Sequence, residues 1–117
     1  MVQDPSCLFC KIVERKIPST VVYETDDALA FRDIHPQAPV HIVIVPKKHI
    51  PTITDVTLPD LHLINALFVA GNRIVEEEQI RDKGFRLVMN CRRDGGQTVD
   101  HLHLHLLGGR QMHWPPG

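Results

Sequence analysis

The chain has 117 residues, 43% of them hydrophobic and 23% charged, with a formal net charge of -1. That length suits one domain, residues 1–117, with a core that needs no disulfide or metal support. The near-zero charge excludes a partner held mainly by phosphate-backbone electrostatics, such as duplex nucleic acid.

Cys7 to Lys16 places Leu8, Phe9, Ile12 and Val13 at helical spacing before Pro18, which predicts a short helix. Val21 to Glu24 and Ala28 to Arg32 are β-prone runs around Thr25-Asp26-Asp27 and predict a hairpin. His41 to Val45 is a β-branched strand between Pro39 and Pro46. Thr57-Leu58-Pro59-Asp60 opens one long helix, with Thr57 as cap, Pro59 in the first turn and Asp60 suited to the helix dipole. Leu61, Ile64, Phe68 and Val75 are its expected core-facing stripe, His62 an expected surface residue, and Gly84 its exit. Phe85 to Asn90 reads as a strand and Arg92 to Gln97 as a turn. Several strands before a single major helix, and two more after it, predict an α+β domain with a mainly antiparallel sheet. No apolar stretch approaches the ~20 residues of a membrane span and no basic-then-apolar leader opens the chain. The expectation is a cytoplasmic protein with no membrane partner. Three cysteines do not make a secreted disulfide framework.

The final strand carries the chemistry. His101-Leu102-His103-Leu104-His105-Leu106-Leu107 alternates imidazole and leucine, so the three rings share one face and the leucines the other. Imidazoles titrate near neutrality, attack phosphorus, move protons or bind metal. On a regular strand His101 and His105 lie ~13 Å apart, too far for one ion held by all three, although two of the rings, ~6.6 Å apart, could converge on one. Nucleophilic attack by His103, with flanking rings handling protons, fits the spacing better. Upstream, Gly95-Gly96-Gln97-Thr98 is a hairpin turn able to aim N–H groups at an anion. Cys7-Leu8-Phe9-Cys10 is, taken alone, structural, redox-active or half a zinc site.

The run His101 to Leu107 resembles the His-φ-His-φ-His-φ-φ motif of the histidine triad (HIT) superfamily. Similarity to its Hint branch, the purine nucleoside phosphoramidases, extends over nearly the whole chain, from Phe9-Cys10-Lys11-Ile12 through Ala30-Phe31-Arg32-Asp33-Ile34, Pro36-Gln37-Ala38-Pro39 and Pro46-Lys47-Lys48-His49-Ile50 to Gly108–Gly117. Fragile-histidine-type dinucleoside polyphosphate hydrolases share the triad but differ after Leu107.

The resemblance implies a HIT-like fold: a mainly antiparallel five-stranded sheet, one long and one short helix, and a sheet continued across a homodimer. It implies hydrolysis of adenosine or guanosine phosphoramidates, and also of acyl adenylates, through a nucleotidylated His103. His105 matches the residue near the leaving group and His41 a histidine beside the site. Asp33 matches the ribose-binding acid; Phe9, Phe31 and Ile34 match the purine-pocket wall. Asn90, Gly96, Gln97 and Thr98 match ribose and phosphate contacts. Residues 108–117 are expected at the dimer interface, with Trp114 reaching the partner's site. Some HIT proteins hold a structural zinc, and the matching set here is Cys7, Cys10, His49 and His101, with no organic cofactor. Cys91 stands outside that set. Thr98 and Asp100 depart from the serine and tyrosine common in close relatives, and Asp100 is expected to raise nearby imidazole pKa values. Two other readings stay open: dinucleoside polyphosphate hydrolysis, and a nucleotide-binding interaction module with weak catalysis.

Overall fold

The computed structural model describes residues 3–117. In chain order it contains α1 (Leu8–Val13), β1 (Val21–Glu24), β2 (Ala28–Arg32), β3 (Val40–Pro46), α2 (Leu61–Glu77), β4 (Phe85–Val88) and β5 (Leu104–Gly108). The strands form one antiparallel sheet in the order β1-β2-β3-β5-β4. Placing β5 between β3 and β4 brings the end of the chain into the middle of the sheet.

Both sheet faces are covered. Leu63, Leu67, Ala70, Ile74 and Val75 of α2 pack on one face, against Ala28, Ala30, Ile42, Ile44, Leu104 and Leu106. On the other face, Phe9, Cys10 and Ile12 from the α1 segment pack against Leu29, Phe31, Val43 and Val45. Burial on both sides explains why β2 and β3 read as continuous apolar runs rather than as alternating ones.

Several expectations shift. The first helix is shorter than Cys7–Lys16: Cys7 is its N-cap, and its Sγ accepts the Cys10 N–H at 3.4 Å. Thr57 to Asp60 does not open α2 directly; Leu58–Asp60 is a separate 3₁₀ turn and Thr57 makes no side-chain cap bond. Leu61 and Phe68 are exposed rather than core-facing, whereas Val75 is buried and Ile64 packs against the core as expected; Leu63, Leu67, Ala70 and Ile74 complete the stripe. The fourth strand ends at Val88 rather than Asn90. Most consequential, β5 begins only at Leu104, so His101 and His103 precede the ladder, with His101 in a bend.

Candidate active site

Leu102, Leu104 and Leu106 are buried toward α2, and the imidazoles lie on the opposite face beneath α1. His105 sits on β5 opposite Val43 of β3, and His41 on β3 opposite Leu107. The Phe9 ring meets His101 and His103 edge-on at 5.9 and 5.1 Å, so one aromatic separates the helix from both rings.

Backbone groups fix the tautomers of His103 and His41, and His41 in turn fixes that of His105. His103 Nδ1–H donates to the His101 carbonyl at 2.7 Å, which leaves Nε2 as a free lone pair. Gln37 N–H donates to His41 Nδ1 at 3.0 Å, so the His41 proton resides on Nε2. That Nε2–H donates to His105 Nδ1 at 2.9 Å and lies 3.4 Å from Asp33 Oδ2. His105 consequently carries its own proton on Nε2. The chain Gln37–His41–His105 is a directed hydrogen-bond relay. The trio Asp33, His41 and His105 lies close enough to ligate an ion. Its chemistry opposes that use: a metal on His41 Nε2 would move the proton to Nδ1, against the Gln37 N–H.

Burial pushes all three ring pKa values down. His105 falls to about 4 through burial, then the His103 and His41 charges, with Asp33 opposing. His103 and His41 are lowered by burial, again opposed by Asp33. The rings are therefore neutral at pH 7, the state a nucleophilic imidazole needs. Asp33, not Asp100, is the carboxylate acting on these rings; Asp100 is exposed and turned outward.

A cleft of about 280 Å³ opens beside them. Phe9, Phe31, Ile34, Asp33, Thr98, His103 and His105 all line it, joined by Leu8, Ile12, Ile17, Val43 and Val99, apolar residues that no motif marks as part of a site. Ile34 is 84% exposed at the rim. Asp33 is partly engaged: Oδ1 accepts the His35 N–H at 2.8 Å, and each oxygen keeps a second lone pair. Asn90, Gly96, Gln97 and Trp114 do not line the cleft. The expected anion cradle is spent on its own turn: Gly96 and Gln97 N–H groups bond to the Arg93 and Arg92 carbonyls, both at 3.0 Å. Gln97 Oε1 accepts the Arg92 N–H, and its amide donates to Pro51 and Val99 carbonyls. Gly95 is required there because a Cβ would lie 2.4 Å from the Cys91 carbonyl oxygen.

Nearby, one donor atom each from Cys7, Cys10, His49 and His101 lies within 4.8 Å of the others, close enough to hold a metal ion. His101 Nε2–H donates to the Pro46 carbonyl at 2.8 Å, turning the Nδ1 lone pair inward. That Nδ1 lies 3.3 Å from Cys7 Sγ, 3.6 Å from Cys10 Sγ and 3.2 Å from His49 Nδ1. Cys10 Sγ accepts the Asp4 N–H at 3.4 Å, and Asp4 Oδ2 lies 3.9 Å from His49 Nε2. Burial drives His101 down to about 4, keeping it neutral, and raises the Cys10 thiol to about 11 without a cation. Facing ring lone pairs beside two buried sulfurs suit a cation, and the N–H···S bonds suit thiolates. Cys91 is half-buried and outside this set. The roles of Gln37, Asp4 and Pro46 rest partly or wholly on main-chain groups, which no side-chain motif announces.

An α+β domain whose antiparallel sheet and its leading segment carry three hydrogen-bond-oriented imidazoles, two of them lining an apolar cleft, defines a histidine-triad protein. The chain belongs to the HIT domain family, whose description matches residues 14–112. It is 48% identical over 105 residues to the purine nucleoside phosphoramidase of Escherichia coli K12, covering 90% of this chain and 88% of that protein. Among solved structures, a HIT family hydrolase from Legionella pneumophila matches with 54% identity and a TM-score of 0.93, covering 96% of this chain and 100% of that one. A histidine triad protein from Clostridium difficile matches with 43% identity and a TM-score of 0.92, covering 95% and 96%.

Proposed function

We propose that the protein is a purine nucleoside phosphoramidase that releases the nucleoside monophosphate through a nucleotidyl-His103 intermediate. The observation that carries this reading is the free Nε2 of neutral His103, opening on the apolar cleft and oriented by the His101 carbonyl. The purine occupies the wall of Phe9, Phe31 and Ile34, and Asp33 takes the ribose hydroxyls. Thr98 contacts phosphate, and Gly96 and Gln97 hold its loop through their bonds to Arg92, Arg93, Pro51 and Val99. His103 Nε2 forms a bond to phosphorus as the phosphorus–nitrogen bond breaks. The Nδ1–H bond to the His101 carbonyl supports the positive charge developing on the ring. The His105 Nε2–H hydrogen-bonds the departing amine, which leaves with a proton taken from solvent through that contact, while the His41 Nε2–H holds the His105 ring in place. Water then attacks the nucleotidyl-imidazole and returns a proton to solvent, so His103 and His105 end the cycle neutral and the count closes. Acyl adenylates suit the same steps, with a carboxylate leaving.

Cys7, Cys10, His49 and His101 are assigned to zinc, whose chemistry there is structural: four closed ligands that cross-link the N-terminus to the triad segment. The whole chain, 1–117, acts as one cytoplasmic HIT domain in a homodimer, with no nucleic-acid or membrane partner. The edge strand β4, the exposed Leu61 and Phe68 of α2 and the 84%-exposed Trp114 supply the contact surface.

The direct experiment incubates the protein with an adenosine phosphoramidate and follows release of adenosine monophosphate. His103→Ala abolishes turnover and His105→Ala slows it about 10²–10⁴-fold. Tight nucleotide binding without turnover, or an equally active His103→Ala variant, overturns the reading; faster cleavage of dinucleoside polyphosphates redirects it.

A further inference from the structure

The segment that carries the nucleophile is not held by the sheet. Regular pairing of β5 begins at Leu104, one residue after His103. What fastens His101 to His103 is a set of contacts around the cysteine–histidine cluster. His101 Nε2–H bonds to the Pro46 carbonyl at 2.8 Å, and Leu102 N–H bonds to the Ile50 carbonyl at 2.7 Å, flanking His49. His101 Nδ1 faces Cys7 Sγ and His49 Nδ1 at 3.3 and 3.2 Å. The carbonyl of that same His101 accepts the His103 Nδ1–H at 2.7 Å. Phe9, between the two cysteines, touches both rings.

One ligand side chain and the group that orients the nucleophile therefore belong to a single residue. We propose that the Cys7–Cys10–His49–His101 centre is a positioning device for the nucleophile, so that its metal content sets the rate of attack by His103 more than the affinity for nucleotide. This rests on the metal and nucleophile assignments made above. His101 is a positioning residue: through its carbonyl it holds His103 in the tautomer and direction that attack requires. Without a cation, the two facing imidazole nitrogens and two sulfurs lose the tie that draws them together. The His101 carbonyl is then free to tilt, and a misplaced nucleophile loses rate steeply. Outer-shell supports of this kind commonly change activity by 10–100-fold.

The test uses full-length protein in three states: as purified, chelator-stripped, and reloaded with Zn²⁺ or the larger Cd²⁺. Metal content, circular dichroism, adenosine monophosphate affinity and single-turnover nucleotidylation of His103 are measured on each. Stripping is expected to slow nucleotidylation about 10–100-fold while affinity stays within about threefold, and Zn²⁺ to restore the rate. A Co²⁺-loaded sample gives a second readout: its visible bands shift when His103 is nucleotidylated, and no shift follows substrate addition to His103→Ala. If stripping unfolds the chain, the Zn²⁺ and Cd²⁺ forms decide, with Cd²⁺ expected to slow attack. A folded, stripped protein that attacks at the holo rate overturns the proposal, as do equal Zn²⁺ and Cd²⁺ rates with unmoved Co²⁺ bands. Failure to bind any metal shows instead in the metal content and removes the metal assignment itself. A metal-loaded protein that never labels His103 removes the nucleophile assignment.

Discussion

At the residue scale, three similar imidazoles acquire different roles because different hydrogen-bonding groups face them. The alternation of histidine and leucine shows that the rings share a face. It does not show that the Pro46 carbonyl, the His101 carbonyl and the His41 Nε2–H choose the tautomers of His101, His103 and His105 in turn, since two of those groups are main-chain and the third lies on another strand. The same burial gives a pH signature. His105 has its pKa pushed to about 4, below the ~6.5 of an unfolded imidazole, and His41 is lowered too. The folded protein therefore keeps these rings neutral where the unfolded chain takes up protons. Their contribution to stability is fully present above pH ~6.5 and is lost as pH falls toward 4. The urea midpoint is expected to drop between pH 7 and pH 5, and His105→Gln to lose less over that interval than wild type. An unchanged pH slope in the variant would contradict the assignment.

At the scale of elements, β1 and β3 are legible because β-branched runs bounded by prolines and an acidic turn leave little freedom, and β2 because an apolar run follows Thr25-Asp26-Asp27. The long helix was legible in extent but not in orientation. Apolar side chains cover more than one arc of α2: Leu63, Leu67 and Ile74 face the sheet, while Leu61 and Phe68 face outward. Periodicity alone cannot rank two apolar stripes on one helix. The alternation of histidine and leucine predicts strand from His101 onward, but it continues through residues outside the ladder, where Leu102 N–H bonds to the Ile50 carbonyl of a loop. Substitution separates the stripes. Leu67 has no exposed surface, so Leu67→Ala is expected to cost about 2–5 kcal/mol in urea unfolding. Arg73→Ala, which removes an exposed pair with Glu77, is expected to stay within about 0.5 kcal/mol.

At the scale of the whole molecule, three features that are awkward in a single chain occur together. Strand β4 is a sheet edge with one side of its backbone unpaired. The outward stripe of α2 presents Leu61 and Phe68, and the C-terminal segment ends with a tryptophan 84% exposed. Exposed edges and apolar patches favour association, and a two-fold partner covers the same surface on both chains at once. A homodimer predicts light scattering at twice the chain mass of 13.3 kDa. Phe68→Asp is expected to halve that mass while leaving far-ultraviolet circular dichroism intact, because the side chain is 46% exposed in the isolated chain. If the C-terminal segment completes the partner's cleft, that monomer loses substrate affinity although His103 and His105 are untouched, and Trp114→Ala reproduces the loss without changing the mass. A wild-type monomer at micromolar concentration with full activity would leave the edge strand, the outward stripe and Trp114 without a common explanation.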